Sequence, residues 1–166
     1  VRNIFLGILI LGTFTSCNVR YSFSGGSVPA EAQTFSVDYF LVSAPLANPN
    51  YGQQVSEAYR DLMLSQSRLR LATSDGDLHY EGTVIRYDLQ PVAVTGDEQS
   101  SRNRLTIAMK VRFFNRIEPE KDKEISLSQF EDFDAASDFS IIESELVTAI
   151  NTKILQDMYD QTLGDW

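Results

Sequence analysis

The sequence predicts an α+β fold: a two-layer sandwich of two helices packed on a four-stranded mixed sheet, in the order βαβββα. Apolar residues alternate singly over Leu105, Ile107, Met109, Val111 and Phe113, the pattern of a strand with one buried face. They recur every three or four residues over Tyr51, Val55, Ala58, Tyr59, Leu62 and Met63, and again over Ile142, Leu146, Ile150, Ile154 and Met158. Those two stripes make two amphipathic helices. Half-buried strands and one-sided helices satisfy each other by stacking in two layers.

The elements follow in order. Phe35, Val37, Tyr39 and Leu41 alternate with Ser36 and Asp38, which predicts a first strand with all four apolar residues on its buried face. Asn48-Pro49 predicts the start of the first helix, with Asn as cap and Pro in the first turn. That helix fades near 65–68. Leu69-Arg70-Leu71 is a short extended piece, and Ser74-Asp75-Gly76-Asp77 is a turn. A long strand over 78–94 changes phase: Leu78, Tyr80 and Val84 share one parity, and Ile85, Tyr87 and Leu89 the other. One extra residue swaps faces, so a bulge or strong twist is expected near Val84.

Residues 96–103 form a polar loop, and the cleanest strand follows it. A charged turn over 118–122 leads into a last strand over 125–133. Ser140 and Glu143 are spaced as a capping box for the second helix, which runs to about Leu163 and stops at Gly164. The domain occupies 34–166.

Ahead of it, residues 1–16 have the layout of a secretory signal: Arg2, an apolar run over 4–11 broken by Gly7, then small residues. The run is too short to span a bilayer about 30 Å thick. Cys17, the single cysteine, comes next, and Phe14-Thr15-Ser16-Cys17 resembles a bacterial lipoprotein signal, in which the cysteine carries acyl chains. Phe14 is bulkier than the residue usual at that position. A buried free thiol, the alternative for a lone cysteine, suits the polar, Gly-rich residues after it poorly. Covalent lipid on Cys17 is therefore expected, with residues 17–33 as its tether. Several acyl chains, at about 0.8 kcal/mol per buried methylene, hold a protein stably on a membrane.

Removing residues 1–16 takes Arg2 with it and moves the formal charge from −9 to −10. So acidic a chain is poorly suited to nucleic acid, where Lys and Arg must neutralise phosphates. It also has little electrostatic attraction to anionic lipid heads, which leaves anchoring to the acyl chains.

Catalytic signatures are missing from the sequence: it holds no Gly-x-Ser-x-Gly elbow, no phosphate-binding glycine loop and no Cys/His metal spacing. His79, the single histidine, lies within a strand, where surface or packing roles are commonest. Glu131, Asp132 and Asp134 cluster near a strand end, but lack the ligand spacing of a calcium loop and read as a solvated acidic rim. No catalytic residue, metal or dissociable cofactor is expected. The residues point to a binding or assembly part.

Five stretches resemble the LptE family of lipopolysaccharide-assembly lipoproteins in its Bacteroidota form: "SVPAEAQTFSVDYF", "APLANPNYGQQVSEAYRDLML", "DGDLHYEGTVIRYDLQPVAV", "RNRLTIAMKVRFFN" and "ELVTAINTKILQDMYDQTLGDW". They span the mature chain in order. The resemblance implies an outer-membrane lipoprotein on the periplasmic side that plugs the LptD β-barrel, helps it assemble, and helps deliver lipopolysaccharide to the cell surface. It implies two helices on a four-stranded sheet, as the periodicity does. It also implies lipopolysaccharide contact through basic residues on the sheet. By position the candidates are Arg102 and Arg104 beside the polar loop, with Lys110 and Arg112 further along the strand. Asp97 and Glu98 oppose that role, because phosphate contact needs net positive charge. A different reading is a free-standing envelope lipoprotein that binds a lipidic or soluble ligand without a barrel partner.

Overall fold

A computed structural model describes residues 28–92 and 101–164. The signal segment, Cys17, most of the tether and residues 93–100, which include Asp97 and Glu98 of the polar loop, lie outside the described residues. The elements are β1 (Thr34–Val37), β2 (Leu41–Val42), α1 (Tyr51–Gln66), β3 (Arg70–Leu71), β4 (Leu78–Val92), β5 (Arg102–Asn115), a 3-10 turn (Pro119–Lys121), β6 (Lys123–Asp134) and α2 (Phe139–Leu163). The sheet order is β3-β1-β4-β5-β6, with β2 also paired to β4. β1 runs parallel to β3 and β4, and β2 runs parallel to β4, while β4, β5 and β6 form an antiparallel meander.

The sheet is mixed, as expected, but has six strands rather than four. Leu69-Arg70-Leu71 contributes β3, and the expected first strand breaks into β1 and β2. Val37 pairs with Tyr80 and Leu41 with Thr83, so four steps on one side match three on the other. The extra residue inverts the alternation. Phe40 turns inward to 4% exposure, while Tyr39 and Leu41 turn outward to 58% and 68%. Gly82 makes room for Phe40, since a Cβ there would lie 2.4 Å from the phenyl ring. Ser56 of α1 secures the turn by accepting the Phe40 N–H at 2.8 Å.

The expected bulge in β4 is present. Register with β5 shifts between Val84 and Arg86, leaving Ile85 as the extra residue. Leu78, Tyr80 and Val84 are buried before it and Tyr87 after it. Leu89 shares the face of Tyr87 as expected, opposite buried Leu105, but is 39% exposed towards the strand end, and the bulged Ile85 is 42% exposed.

Both helix starts differ from expectation. α2 is capped by Asp138, whose Oδ1 accepts the Ser140 N–H at 3.0 Å and its hydroxyl at 2.7 Å. A carboxylate two residues upstream is the stronger acceptor, so Ser140 sits inside the first turn and Glu143 is not its capping partner. α1 begins at Tyr51 after Asn50, and the Asn48 side chain instead accepts the Asn50 N–H in a turn before the helix.

The core lies between the helices and one sheet face. Leu105, Ile107, Met109, Val111 and Phe113 of β5 are all buried with Val55, Tyr59 and Met63 of α1 and Ile150, Ile154 and Met158 of α2. Tyr80 joins the layers. Its ring meets Tyr59 edge-on at 5.0 Å and Phe113 at 5.0 Å, and its hydroxyl reaches Thr162 at 3.2 Å.

Candidate functional site: the helix-free face of the sheet

Alternation along β5 sends its other parity away from the helices, so Arg102, Arg104, Lys110 and Arg112 all project from one face. Arg102 already belongs to β5 rather than to a loop. The four do not form one cluster: Arg104 and Lys110 are six positions apart, roughly 20 Å along a strand.

Three of the four are paired with acids on neighbouring strands. Arg104 makes a bidentate contact with Asp132 of β6, Nε to Oδ1 at 2.6 Å and an NH2 nitrogen to Oδ2 at 2.8 Å. Its guanidinium also lies 3.7 Å over the Phe130 ring. Hydrogen bonding to Asp132 raises the Arg104 pKa, and the same bond lowers that of Asp132. Arg112 meets Glu81 of β4 at 3.0 Å and covers Phe114, while Lys110 stands 3.9 Å from Glu124 of β6. Cross-strand pairing therefore satisfies much of the charge within the sheet.

The expected acidic rim is dispersed by the same alternation. Asp132 faces outward to Arg104, Glu131 meets Lys153 of α2 at 2.5 Å, and Asp134 accepts the Ala136 N–H. The three carboxylates serve three separate contacts.

Between the paired cations lies apolar surface. Tyr39, Leu41 and Ile85 border an open depression of about 450 Å3 with Gly82, Lys110 and Arg112. Arg60 of α1 lies 4.7 Å over the Tyr39 ring and donates to the Val37 carbonyl. Phe130, 45% exposed, extends the apolar character towards Arg104. The face is thus apolar with interspersed charges.

At one margin the structure assembles a group that sequence spacing did not join. Asp38, His79 and Glu81 converge, with His79 Nε2 3.8 Å from a carboxylate oxygen of each acid. Asp38 is separated from His79 by β2, α1 and β3, so only the parallel pairing of β1 with β4 brings them together.

The LptE family, described by its role in lipopolysaccharide assembly, matches residues 32–163. The chain belongs to that family. Solved structures share its fold. A minor lipoprotein from Acinetobacter baumannii is 14% identical, with a TM-score of 0.50 over 78% of this chain and 91% of its own. The uncharacterized lipoprotein B from Nitrosomonas europaea is 10% identical, with a TM-score of 0.54 over 85% and 87%. A hypothetical protein from Chlamydia trachomatis is 11% identical, with a TM-score of 0.53 over 79% and 98%. Identities this low establish a shared fold alone. No curated protein sequence matches the chain. Among the described residues no helix is long and apolar enough to cross a membrane.

Proposed function

We propose that this LptE-family chain is an outer-membrane lipoprotein, anchored through Cys17, that plugs the LptD β-barrel and supports its assembly for lipopolysaccharide insertion. The observation that carries the reading is the family match over residues 32–163. The lipoprotein part draws support from the signal-like residues 1–16 before Cys17, and from two structural relatives that are themselves described as lipoproteins.

The helix-free face is the surface that suits this role. Barrel lumens are polar and wet. A plug there needs paired, directional charges with limited apolar contact, and Arg104–Asp132 and Arg112–Glu81 beside Tyr39, Leu41 and Ile85 provide that mixture. Arg102, Arg104, Lys110 and Arg112 remain the proposed lipopolysaccharide-phosphate contacts. Arg102 leads, because Arg104 already holds Asp132 in a bidentate pair through Nε and Nη2.

Detergent extraction of outer membranes tests this reading. The tagged chain should co-purify with a large β-barrel protein. Recovery of the chain alone from membranes that contain the barrel would favour the free-standing binder.

A further inference from the structure

The geometry points to a divalent-cation site of the zinc class formed by Asp38, His79 and Glu81. His79 and Glu81 are two residues apart on β4 and share the helix-free face. Asp38 follows β1 and is fixed beside them, because its N–H donates to the Tyr80 carbonyl at 3.0 Å. His79 Nε2 lies 3.8 Å from Asp38 Oδ2 and 3.8 Å from Glu81 Oε1, and one donor atom from each of the three residues falls within 4.8 Å of the others. These spacings are too long for hydrogen bonds. Three atoms so arranged share a centre roughly 2.2–2.5 Å from each, close to zinc–nitrogen and zinc–oxygen bond lengths of about 2.0–2.2 Å.

Outer partners aim the converging atoms. Ser36 Oγ holds His79 Nδ1 at 2.8 Å, and is itself buried and fixed by the Gly76 N–H at 2.9 Å. The imidazole stacks on Phe114 with centroids 5.9 Å apart. Nε2 is thus the nitrogen turned to the carboxylates, the arrangement in which metal-binding histidines are held by the other ring nitrogen. Glu81 gives Oε2 to Arg112 and keeps Oε1 towards His79.

Charge and donor type agree. Two carboxylates against one guanidinium leave a net negative charge around an imidazole, which a dication offsets. One nitrogen and two oxygen donors suit zinc or another first-row dication, and are too few oxygens for calcium. The Asp38 and Glu81 side chains are 55% and 39% exposed, so water can complete the coordination from the open side. An ion there clips the end of β1 to β4. It also places positive charge at the margin of the outer depression, which Asp38 and Glu81 help to line.

Calorimetric titration of the chelator-treated mature chain with zinc chloride tests the site, with calcium chloride as comparator. One zinc per chain should bind, calcium should not compete, and Asp38→Asn and His79→Gln should each weaken zinc by at least about tenfold. Asp38→Asn is the cleaner variant because its side chain is the most exposed of the three. Its zinc-free melt should match the wild type, and zinc should raise the melting temperature of the wild type alone. The inference is overturned if the wild type takes up no zinc, or if both variants bind it as tightly as the wild type.

Discussion

Tyr87 donates a 2.5 Å hydrogen bond to Glu143, fastening β4 just beyond its bulge to the early turns of α2. The ring of Tyr87 also meets Tyr51 edge-on at 5.9 Å, and the Tyr51 hydroxyl reaches Asn151 at 2.5 Å. Two tyrosines thereby tie both helices to the strand. Burial, reinforced by the Glu143 carboxylate, pushes the Tyr87 phenol well above its ordinary value, so it remains a donor across the neutral range. Tyr87→Phe should lower unfolding free energy by about 1 kcal/mol. A double-mutant cycle with Glu143→Ala should recover most of that loss as coupling. Additive effects of the two substitutions would show that the bond contributes nothing of its own.

Gly52 should respond against helix propensity. Alanine at an exposed helix interior gains about 1 kcal/mol over glycine. Here an added Cβ would lie 2.0 Å from the Phe40 carbonyl oxygen, a backbone atom held by the turn between β1 and β2. Gly52→Ala should therefore destabilise, by about 1–3 kcal/mol as overpacking does. A denaturant melt decides the sign.

The two long-range features hardest to read in the sequence meet at this turn. Strict alternation over Ile107 to Phe113 and the phase change near Val84 both survive in the structure, because each depends on a strand's own neighbours. The alternation through Tyr39 and Leu41 fails. The extra residue after Val37 is defined only against β4, and Gly82, which admits Phe40, lies across the sheet. The same limit hid the site. Arg104 and Asp132 were each visible as charges, but their pairing follows from the β5–β6 register, and Asp38 joins His79 only through a parallel contact. Capping was misread for a local reason: Asp138 and Ser140 both fit the start of α2, and the stronger acceptor took it.

Acid should release a clip at the start of β1. Asp77 Oδ2 accepts the Gln33 and Thr34 N–H groups and the Thr34 hydroxyl, each at 2.9 Å. The Gln33 N–H, then the Thr34 hydroxyl, lower the Asp77 pKa from its ordinary 3.8. A depressed carboxyl stabilises the fold above its unfolded pKa, and that stability is lost as pH falls through the folded value. Asp77→Asn should cost about 1–2 kcal/mol at neutral pH. The gap to wild type should close below about pH 4, seen in melts taken across that range. A constant gap would place the contribution outside the carboxylate.

Ile150 tests the seam between α2 and the sheet. It is fully buried in the same core as Ile107, Met109 and Val111. Ile150→Ala should lose about 2–4 kcal/mol through lost transfer energy and the cavity left behind. A loss below about 0.5 kcal/mol in a denaturant melt would mean the helix face is not packed as the structure has it.

The outer face should separate stability from partnership. Leu41 and Ile85 are 68% and 42% exposed beside Lys110, so neither side chain contributes much to the core. Single exposed apolar residues are common, but these two adjoin Tyr39 around one depression, which a partner would cover. Threonine is β-branched, as strands favour, and removes much of the apolar surface of Leu41 and Ile85. Leu41→Thr with Ile85→Thr should therefore change unfolding free energy by only about 0.5 kcal/mol per site. If the face meets the barrel, the same double variant should recover less barrel protein from detergent extracts while its own level in the membrane stays normal. Full recovery of the barrel by a normally folded double variant would move the contact to another surface.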